Sequence, residues 1–431
     1  MKKNFSLLLI LLPAFGFSQG ILGKVKQRAQ QTVENRVLNK AEAEVNKGLD
    51  KAEGKKNETK NVTDNATEDS NIDEAPAQKK DTKLKQYSRY DFVPGESVFY
   101  FADFNGQPIG ELPVGWNSNG SAVLVTLEGI EGNWLRLPQR TVTLTDNKKE
   151  MGEDFTLEFD VVMQYEFNGW LPPHLQFGLF ASGEKDAVAN DYLNEPYGLK
   201  TLYVTINPAK DGRTTVSMQS YNKRNRYFNG PAKAHGAIEQ FYGKPLHVAM
   251  KAQKERMRVW LNGDKVFDIP KAIPVENIFN QLFFQLESSA YADEQVNVYV
   301  GNFKMARGLP DTRHKLAEEG KFSTTGILFE SNKAAIKPES SGVLAEIAGV
   351  LNKYPELKVK IIGHTDSDGS DEANQKLSER RAEAVKEALV NEYKVSEDRL
   401  QTAGKGEKEP VEKNDTQAGK AQNRRVEFLK L

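Results

Sequence analysis

The sequence predicts a multidomain protein in which an all-β sandwich precedes an α/β sandwich, with a leader, a helix and a polar linker in front. Three observations predict it. At 431 residues the chain is too long for one ordinary core. Residues 90–308 read as short alternating segments punctuated by Gly, Pro and Asn, with no helical period. Residues 320–431 then alternate strand-like and helix-like patterns, the signature of a compact α/β sandwich.

Met1-Lys2-Lys3, the apolar run Leu7 to Leu12 and the small residues near Ser18 read as a secretory signal peptide over 1–18. That run is short of the roughly 20 residues a membrane-spanning helix needs. Leu22, Val25, Ala29, Val33, Val37, Ala41, Val45, Leu49 and Ala52 recur at steps of three or four, which predicts an amphipathic helix over 21–53. Its narrow stripe is compatible with self-pairing, a membrane surface or a solvated spacer. Residues 54–86 are dominated by Lys, Asp, Glu, Asn and Thr. They cannot bury enough apolar surface to offset chain entropy and read as a disordered linker.

In the β region, Phe155, Leu157, Phe159, Val161 and Met163 alternate onto one face of a strand. Met257 to Leu261 runs into Asn262-Gly263 and then Lys265 to Ile269, a hairpin pattern. A lipid-facing barrel is disfavoured, because Lys251, Lys254, Glu255, Arg256 and Arg258 fall on both faces of the stretch Val248 to Leu261. Asp103-Phe104-Asn105-Gly106, Pro113-Val114-Gly115-Trp116, Val259 to Gly263 and the closing Gly301 to Met305 resemble the concanavalin-like/laminin-G jelly-roll domains. Some jelly-roll glycosidases carry Glu-x-Asp-x-x-Glu on one strand, two carboxylates serving as nucleophile and acid. Here Glu158 and Asp160 match the first two positions but the third is Met163, so both acids read as the solvent face of a strand. Trp116, Trp170 and Tyr221 are candidates for stacking on sugar rings, against a core role. His174, His235 and His247 lack metal-ligand spacing.

In the last region, strands are expected near 322–329, 357–364, 399–404 and 424–430, and helices near 339–353, 371–393 and 416–422. The strand Val359 to Gly363 delivers His364, Thr365 and Asp366 at its carboxyl end, where α/β folds often meet ligands. Gly369 permits the turn and Ser370 can cap the next helix. At about 100° per residue and with Leu377 at zero, Ala384, Ala388 and Arg381 fall near −20°, +20° and +40°. Asn374, near +60°, lies beside them and Arg380, near −60°, on the other edge. An arginine in an apolar stripe is costly unless paired. Either Arg381 bridges Asp366 internally, or the two clamp a ligand that offers one ammonium and one carboxylate.

The run Gly363-His364-Thr365-Asp366 with Asn374, Leu377, Ser378, Arg381 and Ala382 resembles the OmpA-like peptidoglycan-binding domain. Ile327-Leu328-Phe329, Ile336-Lys337-Pro338 and Asn423-Arg424-Arg425-Val426-Glu427 extend the likeness over about 110 residues. The resemblance implies that Asp366 and Arg381 hold meso-diaminopimelate of the cell wall, supported by Thr365 and Asn374, with Arg425 bracing the site. It implies no metal at His364 and no cofactor.

Lys and Arg (59) nearly balance Asp and Glu (60) and are spread along the chain, which argues against a nucleic-acid partner. With no cysteine in the 431 residues, disulfides, thiolate metal sites, a cysteine nucleophile and a lipid-modified N-terminal cysteine are excluded. The expectation is an exported, non-enzymatic envelope protein that grips peptidoglycan, its sandwich meeting a glycan or another protein. A wall-tethered glycan hydrolase and a carbohydrate-binding adhesin are the competing readings. Outer-membrane association and a free periplasmic life both stay open.

Overall fold

A computed structural model describes residues 90–431 apart from 148, 184–188, 190, 195–199 and 277. The chain divides into units 1–82 and 83–431, and the described residues belong to the second. The expected leader at 1–18, helix at 21–53 and linker at 54–86 lie outside the described residues.

Period-two alternation builds two eight-stranded sheets. The first runs Asp264–Ile269, Arg256–Leu261, Pro245–Gln253, Asp154–Tyr165, Val296–Arg307, Ile130–Arg136 and Val123–Leu127, with Ser97–Ala102 also paired to Val296–Arg307. The second runs Asn225–Asn229, Thr215–Asn222, Lys200–Asn207, Leu175–Ala181, Gln281–Leu286, Thr141–Thr145 and Trp116–Ser118, with Lys233–Ala234 beside Thr215–Asn222. Residues of both sheets share one core, in which Phe155, Leu157, Phe159, Val161 and Met163 all lie buried. Phe159 stacks on Phe303 at 5.6 Å and meets Phe284 edge-on at 5.3 Å, arrangements that the ring quadrupoles favour. Trp116 packs here against Phe303 at 5.1 Å; of the three aromatics considered for sugars it is a core residue. The hairpin forms as its turn residues dictate, Asn262 and Gly263 taking φ of 46° and 92°.

One expectation is corrected. Glu158 and Asp160 do project away from the core, yet that face is not solvated: Glu158 is only 4% exposed. The C-terminal domain covers the outer face of the first sheet. The segment Tyr90–Val93 is threaded between the two, with Tyr90 and Phe92 packed on Ala249 and Trp260, and Val93 in the C-terminal core. Close approach demands glycine at two points. A methyl group at Gly95 would sit 2.6 Å from the Ala306 carbonyl oxygen, and one at Gly342 2.5 Å from that of Phe92. Gln422 adds a polar stitch, accepting from the Val98 N–H at 2.7 Å and donating to the Glu96 carbonyl at 2.9 Å.

The C-terminal sheet runs Lys321–Thr324, Val426–Lys430, Val359–Gly363 and Leu400–Gly404, with only the last two parallel. Helices Ser341–Lys353, Asp371–Asn391 and Gln417–Asn423 accompany it. The expected register of the long helix is corrected. Its buried face is Asn374, Ser378, Ala382, Val385 and Leu389, centred roughly 100° from Leu377. Leu377 is therefore marginal and Arg381 sits on the flank of the buried face rather than in its middle. Small residues mark the first half of this face, before Val385 and Leu389, because the strands approach closely there: a methyl at Gly363 would lie 2.2 Å from the Ser378 carbonyl oxygen. No helix among the described residues is long and apolar enough to cross a membrane.

Candidate functional site

The strand Val359–Gly363 ends against Gly404 and Val426, and its extension is pinned on both sides. The His364 N–H donates to the Arg425 carbonyl at 3.0 Å and the Thr365 N–H to that of Gly406 at 2.9 Å. Asp366 thus reaches a fixed edge. Ser370 caps the long helix, its hydroxyl oxygen accepting from the Ala373 N–H at 3.3 Å. Asn374, four residues into that helix, is buried and donates to the carbonyls of Asp366 at 3.3 Å and Asp368 at 3.1 Å. It therefore holds the turn that carries the acid. Thr365 is buried and its hydroxyl has no hydrogen-bond partner among the described residues.

The acid pairs differently from the sequence expectation. Asp366 forms its ion pair with Arg424, and its other oxygen accepts from the Asp368 N–H at 3.2 Å. Arg381 is half-buried on the same edge. Its Nε donates to the Lys333 carbonyl at 3.1 Å, and its guanidinium lies 4.9 Å from the Phe329 ring centre. No carboxylate among the described residues is within ion-pair distance of it. Burial, then the charge of Arg424, pulls its pKa down to about 10, so it stays cationic at neutral pH. Arg425 turns away, buried against Glu427 at 2.7 Å and the Glu409 carbonyl at 2.9 Å, where it braces the strand. Arg380 is exposed.

Arg424 is the residue that sequence reasoning passed over. Alternation along 424–430 groups Arg425 with Glu427, two positions on, and leaves Arg424 on the other side; that parity was a readable signal. The β-domain reaches this edge too, for the Arg424 guanidinium lies 4.9 Å from the Phe101 ring centre.

Between the two domains lies a cleft of about 250 Å³, lined by Phe101, Asp160, His247, Asn302 and Lys304 from one side and by Phe329, Lys337, Glu339, His364, Arg381 and Arg424 from the other. Lys304 bridges Glu158 at 2.9 Å, and the His247 Nδ1 meets Asp160 at 2.8 Å. Burial disfavours a charged His247, but the hydrogen bond to Asp160 and the charges of Asp160, Glu158 and Glu339 outweigh it and raise its pKa. Across the cleft, burial and then the Arg425 charge push His364 down to about 4, against the pull of Glu427 and Glu409.

These opposite shifts predict a stability maximum. The raised pKa of His247 contributes stability that is full below the unfolded value of about 6.5 and is lost as pH rises through the folded value. For His364 the unfolded chain binds the proton first, so stability falls as pH drops from about 6.5 towards 4. The urea midpoint should therefore peak near pH ~6.5. His247→Gln should flatten the alkaline arm and His364→Gln the acid arm. A midpoint that climbs steadily from pH 5 to 8 would contradict the charge state assigned to His247.

The segment that carries this edge matches known proteins. Residues 328–424 match the OmpA family, and this C-terminal part of the chain is an OmpA-family domain. It is 46% identical over 101 residues to outer membrane porin F of Pseudomonas aeruginosa, spanning 23% of this chain and 29% of that protein. It is 43% identical over 102 residues to the probable lipoprotein YiaD of Escherichia coli, spanning 24% of this chain and 46% of that one. A crystal structure of the peptidoglycan-associated lipoprotein from Burkholderia pseudomallei aligns at 28% identity over 25% of this chain and 89% of that chain, with a TM-score of 0.23. The matched segment spans less than half the length of either curated relative.

Proposed function

We propose that this is an exported, non-catalytic envelope protein that binds peptidoglycan non-covalently through the diaminopimelate of its stem peptide. The observation that carries the reading is the grouping of one carboxylate, Asp366, with Arg424 and an Arg381 that has no carboxylate partner among the described residues. A diaminopimelate head group supplies the ammonium and carboxylate that such an edge complements. In this reading Asp366 takes the ammonium and Arg381 the carboxylate, with Thr365 and Asn374 supporting and Arg425 bracing. Relatives named as outer membrane proteins and lipoproteins support export to the cell envelope.

The β-domain, 90–308, is read as a concanavalin-like jelly roll carried to the wall by the domain 320–431. A hydrolase reading is not favoured. Met163 is buried in the core, and Glu158 is tied to Lys304 at 2.9 Å rather than free to act as an acid or nucleophile. Trp170 and Leu171, 64% and 76% exposed, are adjacent apolar groups that the β-domain could offer a glycan or protein, among several exposed apolar residues that include Val114 and Val275.

The test is co-sedimentation of the full chain with purified sacculi. The protein should pellet with sacculi whose stem peptides carry meso-diaminopimelate and be released by millimolar free meso-diaminopimelate. Equal pelleting with lysine-type sacculi would overturn the reading.

A further inference from the structure

Building on the peptidoglycan reading, we propose that the β-domain forms the second wall of the ligand site, so that a stem peptide held at Asp366 and Arg381 continues into the interdomain cleft and meets His247 and Asn302 there. Three independent features of the cleft point to an occupant. Its polar lining is incompletely satisfied: His247 Nε2, Glu339 Oε2, Thr325 Oγ1 and both ring nitrogens of His364 are buried without a hydrogen-bond partner among the described residues. The acids nearest the two Nε2 atoms, Glu158 at 3.8 Å from that of His247 and Glu427 at 3.6 Å from that of His364, are too far for a hydrogen bond. Such atoms are normally paired, and burying them unmet is unfavourable.

The charges are also unbalanced in a way that fits a peptide. Arg381 and Lys337 line the cleft with no carboxylate of the described residues at ion-pair distance, and Glu339 lines it with an oxygen that no described residue meets. A short acidic peptide brings carboxylates for the cations and amide N–H groups for the acid. The cleft, about 250 Å³, suits one or two residues beyond the head group rather than a glycan chain.

Finally, the β-domain wall is pre-organised. Asp160 holds His247 through Nδ1 at 2.8 Å and Asn302 through its amide at 2.8 Å, which fixes both side chains against the cleft. Nε2 is left to face the ligand, as an acceptor for an amide when the ring is neutral and a donor to a carboxylate when it is protonated. Asn302 sits where the register of Val296–Arg307 shifts, at a φ of +57° that Asn and Asp adopt more readily than most residues.

The five histidines make the test direct, because His247 and His364 face the cleft from opposite walls. The full chain, labelled at histidine, is titrated with the tripeptide L-Ala-γ-D-Glu-meso-diaminopimelate and, separately, with free meso-diaminopimelate. The tripeptide should shift both ring signals along one saturation curve, while the free amino acid should leave His247 nearly unmoved. His247→Gln and Asn302→Asp should each weaken the tripeptide about fivefold and change the free amino acid by less than about twofold, with urea midpoints tracked to confirm folding. If the tripeptide moves His364 alone and both variants bind it as the wild type does, water fills the cleft and the second wall is wrong, while the peptidoglycan reading stands. If neither probe binds the wild type, that reading falls and this one with it.

Discussion

Arg381→Ala and Asp366→Ala should each cut the affinity of the full chain for diaminopimelate-type sacculi by tenfold or more. A hydrogen bond to a charged group contributes about 1.5–3 kcal/mol, and each variant removes at least one such contact from the ligand. The two differ in what they leave behind. Arg381 has no acid of the described residues to abandon, so its loss frees only the Lys333 carbonyl and the Phe329 ring face, and folding should be little changed. Asp366 is buried beside Arg424, so Asp366→Ala also strands a guanidinium and should lower the urea midpoint. Arg424→Ala separates the roles. If Asp366 serves only to hold Arg424, then Arg424→Ala and Asp366→Ala will match each other and Arg381→Ala will bind like the wild type. The clamp instead requires Arg381→Ala to lose binding at an unchanged midpoint, with the exposed Arg380→Ala as the unaffected control.

The elements were legible wherever a period met a face. The alternation from Phe155 to Met163 fixes that strand and its core side, and Asn262-Gly263 fixes a turn, because both are local consequences of backbone geometry. The edge at Asp366 was legible for the same reason, as the end of a strand followed by a capped helix. Two things were not. The long helix turns Ser378 and Ala382 inward because Gly363 and Gly404 let strands approach to contact, so size rather than hydropathy sets the first half of its buried face. An apolar stripe on Leu377 therefore misplaced Arg381 by a quarter turn. The fate of Glu158 and Asp160 depended on a neighbour more than 160 positions away. A strand with charged residues on its outer face reads as solvated until another domain, Lys304 and His247 are known to cover and pair it.

That covering should be energetically real, and Phe92→Ala is the variant that measures it, with the largest expected loss of stability. The ring is fully buried, 5.3 Å from Trp260 and 6.1 Å from Tyr90, in the seam between the domains. Deleting a buried Phe side chain costs about 3–5 kcal/mol, the upper part of that range applying where the walls cannot collapse. Here they are held apart. One wall is the paired strands Pro245–Gln253 and Arg256–Leu261, the other is the helix Ser341–Lys353, whose Gly342 already touches the backbone of residues 90–92. Phe92→Leu keeps most of the volume and should cost less than about 1.5 kcal/mol. Hydrogen exchange should report where the loss falls. Amides of the seam, in Pro245–Gln253, Ser341–Lys353 and around Glu96 and Val98, should lose protection, while the second sheet, which does not touch the seam residues, keeps it. Binding of free meso-diaminopimelate should survive, because Asp366, Arg381 and Arg424 are held by their own strand, helix and turn. Tripeptide binding, which needs both walls, should weaken. A Phe92→Ala protein with wild-type stability and unchanged exchange at the seam would mean that the two domains merely adjoin, and the two-walled site would lose its physical basis.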